Sequence, residues 1–197
     1  MDEYSMRTLK SNSIVATGEF EDYIRRIILF IGDDPDGEHC ADTPKRVVKS
    51  WKELFSGYSK NPVDALGTVF SADGYDQMVI LKDIEIYSTC SHHMIPFYGK
   101  AHIAYIPGKK VVGLSKLARL AEVFARRLQV QERLTQQIAD TLMKVLKPKG
   151  VMVVIEAKHM CMCARGISKQ NSSMITSSIH GVFKDSSVRS EFLELIK

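Results

Sequence analysis

Met78-Val79-Ile80-Leu81-Lys82-Asp83-Ile84-Glu85-Ile86-Tyr87-Ser88-Thr89-Cys90-Ser91-His92-His93 is the stretch on which the reading of this chain turns. Its two halves, 78–81 and 84–87, are rich in β-formers and run straight into one thiol and two imidazoles. Pro96 and Gly99 follow, where a turn would end. From Gly99 to Ile106 the pattern alternates, with Ala101, Ile103 and Tyr105 on one face and Lys100, His102 and Ala104 on the other. Pro107-Gly108-Lys109-Lys110 closes this hairpin-like pair.

Cysteine and histidine are the preferred donors for zinc, and sites of mixed sulfur and nitrogen ligands are usually tetrahedral. Two adjacent histidines seldom both reach one ion, so the 90–93 cluster cannot close such a site alone. The second source is His159-Met160-Cys161-Met162-Cys163. A long strand expected from Val151 to about Ala164 places His159, Cys161, Cys163 and Arg165 on one face and Met160 and Met162 on the other. Cys90, His93 and Cys161 are therefore the candidate zinc ligands, although strand parity alone serves Cys163 equally well. With the fourth position open, zinc acidifies water to near neutrality, which suits attack on an electrophilic carbon. His92 and His159 are then free for proton transfer. The competing reading is two buried cysteines and hydrogen-bonded core histidines, and it is the preferred one for His39, His102 and His180.

Around this centre the chain reads as α+β. Residues 1–18 are polar and aperiodic, the expectation being a mobile tail; 19–60 form a helical appendage; 61–197 form the catalytic domain. In the appendage Phe20, Ile24, Ile27, Ile28 and Ile31 keep helical spacing, and Gly32-Asp33-Asp34-Pro35-Asp36-Gly37 ends that helix. Asp42-Thr43-Pro44 opens the next, with Val47, Val48, Trp51, Leu54 and Phe55 on one side and Lys45, Arg46, Lys49 and Lys52 on the other. Beyond the hairpin, Ser115 is a candidate N-cap for a helix striped by Leu117, Leu120, Ala121, Phe124 and Leu128. A second helix, striped by Leu134, Ile138, Leu142 and Val145, ends at Lys147-Pro148-Lys149-Gly150. Strands from Val151 and from Ser173 to Phe183 follow, then a helix over 188–196. Two strands, two helices and two strands predict a four-stranded antiparallel sheet with the helices on one face. Its uncovered edges predict oligomerisation through the sheet.

The chain has 197 residues, 45% hydrophobic and 25% charged, with a net charge of +4. That balance suits an anionic small molecule, and the absence of a basic arm or a stacking motif argues against nucleic acid. No apolar run reaches membrane-spanning length and the N-terminus lacks a signal-peptide core, so a cytoplasmic location is expected. Four irregularly spaced cysteines point to reduced thiols. Ser115, Lys116 and Arg119 in a helix first turn form a natural anion site, to which Arg165 can add, and no P-loop occurs. Gln131-Glu132 falls between the two helices, where a carboxylate can accept the paired N–H donors of a purine such as guanine, although such a Glu more often merely opens the next helix.

Five runs carry a resemblance: Ser88-Thr89-Cys90-x-His92-His93, Ala104-Tyr105-Ile106-Pro107, Gly113-Leu114-Ser115-Lys116-Leu117-Ala118-Arg119, Gln129-Val130-Gln131-Glu132-Arg133-Leu134-Thr135 and His159-x-Cys161-x-x-x-Arg165-Gly166. In order and spacing they resemble GTP cyclohydrolase I, and Asp42-Thr43-Pro44 with Arg46-Val47 fits as well. The resemblance implies hydrolysis of GTP at C8, release of formate and formation of 7,8-dihydroneopterin triphosphate, at the head of folate or tetrahydrobiopterin synthesis. It implies zinc on Cys90, His93 and Cys161, choosing Cys161 over Cys163. His159 becomes the proton donor with His92 beside it, and Glu132 the guanine anchor aided by Gln131. Ser115, Lys116, Arg119 and Arg165 become the triphosphate cradle, joined by Arg46 and Lys49. It also implies the tunnelling fold and a homodecamer of two pentamers with sites at subunit interfaces. One position departs: Ser91 stands where the family usually has Glu, which touches the support of the metal site and hence rate or substrate preference.

Overall fold

The computed structural model describes residues 17–197; the expected tail, 1–18, falls almost wholly outside them. Contacts divide the chain after Glu53. In the N-terminal unit, α1 (Thr17–Ile31) and α2 (Thr43–Leu54) bury Ile24, Ile28 and Val48 together, with Cys40, Val47 and Trp51 packed around them. Of the stripe expected on α1, Phe20, Ile27 and Ile31 remain exposed.

The second unit opens with a 3₁₀ turn (Ser56–Ser59), α3 (Pro62–Leu66) and β1 (Val69–Ser71). β2 (Val79–Cys90) and β3 (Pro96–Ile106) pair antiparallel, joined by the tight turn at 91–95. β4 (Lys110–Val112) leaves this sheet to pair with β1. α4 (Leu114–Ala125), the two-residue β5 (Leu128–Gln129) and α5 (Gln131–Leu146) follow. β6 (Gly150–His159), the helical turn α6 (Met160–Cys163), β7 (Met174–Gly181), a 3₁₀ turn (Val182–Lys184) and α7 (Ser186–Leu195) complete the chain. The sheet runs β5-β2-β3-β6-β7. Its four long strands are the antiparallel ones expected; β5 is added in parallel, two residues too short to show a period.

Alternation sorts the sheet into two cores. Phe97, Ala101, Ile103 and Tyr105 of β3 and Val151, Val153, Ile155 and Ala157 of β6 face the apolar stripes of α4 and α5. Ala104, Met152 and Val154 point the other way, onto Phe183 and Phe192 at the C-terminal end of the chain. β2 needs a correction of phase to join them. Val79 and Leu81 pack on the helical core, and so do Ile84, Ile86 and Cys90, which have the opposite parity. The register steps from Leu81–Ile103 to Ile84–Ala101, so Lys82 and Asp83 stand opposite His102 alone. This is a β-bulge, with Asp83 at φ +58°. The Asp83 N–H donates to His102 Nδ1 at 3.2 Å, and Lys100 Nζ donates to the Asp83 carboxylate at 2.8 Å. Without the extra residue Cys90 would point away from the helices.

Candidate metal and proton-transfer site

Three elements meet at the end of β2. The Cys90 N–H donates to Ile95 O at 2.9 Å and Met94 N–H to Cys90 O at 2.8 Å, a turn tight enough to hold Met94 at φ +54°. β5 anchors the same corner, with the Ser91 N–H donating to Gln129 O at 2.8 Å. This geometry folds His93 back over Cys90, leaving Sγ and Nδ1 3.8 Å apart. Cys161 joins them: the donor atoms of Cys90, His93 and Cys161 lie within 4.8 Å of one another. Ligands around a tetrahedral zinc stand roughly 3.5–3.8 Å apart by its usual bond lengths, so two sulfurs and one nitrogen at this spacing fit that ion after a small contraction. Burial and the neighbouring Cys90 sulfur push the Cys161 thiol above its ordinary range.

The expected strand to Ala164 is not found. β6 stops at His159, and Met160–Cys163 turn helically. Two residues along a helix are rotated by roughly 200°, so Cys161 and Cys163 point to opposite sides. Cys163 is buried outside the triad. The shared face predicted for His159, Cys161, Cys163 and Arg165 therefore does not exist. Arg165 is exposed and donates from Nη1 to Cys161 O at 3.4 Å.

His159 is held more closely than any other histidine of the site. Its ring stacks on Phe97 with centroids 4.6 Å apart and planes 5° from parallel, and its Nε2 lies 2.8 Å from Gln131 Oε1. Gln131 is buried, and its amide nitrogen donates to Ile155 O (3.0 Å), Met174 O (2.9 Å) and Thr176 Oγ1 (3.1 Å). Thr135 Oγ1 donates to Gln131 O and lies 2.7 Å from Thr176 Oγ1. Two backbone carbonyls can only accept, so the Gln131 amide turns its NH₂ to the strands and its oxygen to His159. Nε2 therefore carries the ring proton and Nδ1 the lone pair. Burial pulls the His159 pKa below the usual histidine range, opposed in part by the charge of Glu132. Gln131 and Glu132 form the first turn of α5, Glu132 exposed, so this Glu does open the helix. His92 is exposed, its ring edge-on to His93 at 6.2 Å.

Lys116 and Arg119 of α4 do not border this centre. Ser115 is not the N-cap of α4; Gly113 is, and Ser115 is the second helical residue. Lys116 and Arg119 line a cleft of about 420 Å³ with Ser59, Lys60, Asn61, Asp64, Ala65, Glu122 and Val123, and none of the metal triad borders it. Arg46 and Lys49 belong to the N-terminal unit, exposed on α2, with Arg46 paired to Asp42 at 3.0 Å. The stacking of Phe97 under His159 and the Thr135–Thr176 pair had no signal in the sequence beyond apolar and β-branched positions.

The model of the family GTP cyclohydrolase I matches residues 20–197. The chain belongs to that family. It is 61% identical over 178 residues to "GTP cyclohydrolase 1" of Wolinella succinogenes, covering 90% of this chain and 95% of that protein. It is 54% identical over 183 residues to the protein of the same name from Brucella canis, covering 91% and 85%. A crystal structure of the archaeosine synthase QueF-Like in the apo form aligns at 16% identity, over 53% of this chain and 93% of that one, with a TM-score of 0.44. The α+β architecture is the tunnelling fold expected of the family. No described helix is long and apolar enough to cross a membrane.

Proposed function

We propose that this chain hydrolyses GTP at C8, releases formate and yields 7,8-dihydroneopterin triphosphate, with zinc held by Cys90, His93 and Cys161. Its activity is that of a GTP cyclohydrolase, which opens folate and pterin synthesis. The observation that carries the metal reading is the convergence of two thiols and one imidazole from separate elements on one point. Zinc bound by three protein donors supplies an activated water and a Lewis acid at its open position. The chain's own residues supply the rest. His159 exchanges a proton with the imidazole ring of the substrate through Nδ1, because its Nε2–H is engaged by Gln131. Burial favours loss of that proton, making the protonated ring a better acid than free histidine. Gln131, which the resemblance sets beside the guanine anchor, is a catalytic-site residue that acts by orienting His159. His92, exposed beside the triad, is a second proton carrier.

Glu132 in the first turn of α5 anchors guanine through its paired N–H donors. Ser115, Lys116, Arg119 and Arg165 hold the triphosphate, with Arg46 and Lys49 as further cations. Residues 61–197 are read as the catalytic domain and 19–60 as its helical appendage, with 54–60 packing in the same compact unit as the catalytic domain. The triad and the Lys116–Arg119 cleft occupy different places on one chain, which supports sites assembled between subunits of a homodecamer of two pentamers. All four cysteines are unpaired, in keeping with a reducing cytoplasm. Incubating zinc-loaded protein with GTP yields formate and, after oxidation, pterin fluorescence; protein that carries zinc but releases no formate refutes the activity. Replacing GTP by ATP or a pterin separates it from a related purine or pterin enzyme.

A further inference from the structure

The cleft beside α4 holds a cation that none of the family motifs contains. Lys60 lines it together with Lys116 and Arg119. Among the described residues, none of the three makes an ion pair. Of the two carboxylates on the same walls, Glu122 is already engaged by Arg126 Nε at 2.6 Å. That leaves Asp64 as the one other carboxylate on walls that carry three cations.

Lys60 is also placed by construction. The Gly57 N–H donates to Arg126 O at 3.0 Å, and a Cβ at Gly57 would run into Val123 O, so only glycine lets the 3₁₀ turn lie this close to α4. Arg127, half-buried over the Phe124 and Tyr58 rings, donates from Nε to Gly57 O at 3.1 Å and from Nη2 to Lys60 O at 3.2 Å. The Leu128 N–H donates to Tyr58 Oη at 3.1 Å. The backbone at residue 60 is thus tied to the C-terminal end of α4, while its side chain is left exposed in the cleft.

We propose that Lys60 is a third cation of the polyphosphate-binding wall, adding to Lys116 and Arg119 and favouring substrates with longer phosphate chains. The inference rests on the proposed triphosphate cradle. The substitution Lys60→Gln, in the zinc-loaded full chain, should raise KM for GTP about tenfold, the effect of one charge-assisted hydrogen bond at a partly solvated site. Its kcat should stay within about twofold and Lys60→Arg should restore KM, since only uniform binding is removed. The inhibition constant of guanosine, which has no phosphate, should not change. Because the tie to Arg127 uses the backbone carbonyl, the melting temperature should be unchanged. Arg119→Gln is the reference. If it raises KM and Lys60→Gln does not, the inference about Lys60 is overturned and the cradle stands. If neither changes KM, the cradle reading falls and Lys60 with it. If Lys60→Gln weakens guanosine as much as GTP, or lowers kcat instead, the residue has a general structural role and the proposal is wrong.

Discussion

Replacing Gln131 by Leu tests how this site holds its proton donor. The side chain is 1% exposed, and its amide links His159 Nε2 to the Ile155 and Met174 carbonyls and the Thr176 hydroxyl within 3.1 Å. Leucine fills a similar volume and makes none of these bonds. Each buried polar group left without this partner costs about 1–3 kcal/mol, and the added apolar burial returns about 1–2 kcal/mol. Four groups lose this partner, so the net loss of stability is at least about 2 kcal/mol, which should be legible as a fall in melting temperature. The effect on chemistry is separate. Phe97 still stacks on the His159 ring, but nothing fixes which nitrogen carries the proton. Misdirected acid–base groups lose much of their usual contribution, so kcat should fall about 10²- to 10³-fold with KM little changed. Formate release under saturating GTP, run beside metal analysis, gives the answer. Zinc content should be unaffected, since Gln131 is not in the triad. A variant that melts lower but turns over within twofold of the parent would refute the orienting role.

Two further outcomes follow from the same geometry. Cys161→Ser should lose zinc on dialysis against a chelator while Cys163→Ser keeps it, because only the first sulfur lies within 4.8 Å of the other donors; the reverse metal contents would overturn the ligand set. His102 at the bulge is buried and accepts the Asp83 N–H, and burial holds its pKa below the ordinary value of 6.5 against the opposing pull of the Asp83 carboxylate. Lys100 and Lys82 add to the lowering, and Glu156 opposes it. A histidine with a lowered folded pKa adds stability above its unfolded value, and that stability is lost as pH falls below about 6.5 toward the folded value. Denaturant titrations from pH 8 to 5 should show this slope, and His102→Asn should flatten it; an equal slope in both would locate the dependence elsewhere.

By itself the sequence determined the elements whose signal is periodic or local. The alternation of Ala101, Ile103 and Tyr105 named the core face of β3, and the stripes of α4 and α5 named the helical layer that covers it. Cys90, His93 and Cys161 were recognisable as candidate metal donors from residue type and family spacing, and the fold brings their donor atoms within 4.8 Å of one another. What parity could not decide was Cys161 against Cys163. It assumed a strand, and the chain leaves β6 at His159 because its sheet partner Phe97 is the second residue of β3, so the antiparallel neighbour runs out there. The bulge at Asp83 was present only as a slip between Leu81 and Ile84, too short a break to read as a change of face. Tertiary structure alone brought Gln131, Thr135 and Thr176 together under His159, and tied Lys60 to α4 through Arg127. These links join residues tens of positions apart, and they depend on the direction of one hydrogen or one carbonyl. Neither hydrophobic period nor residue type encodes that direction.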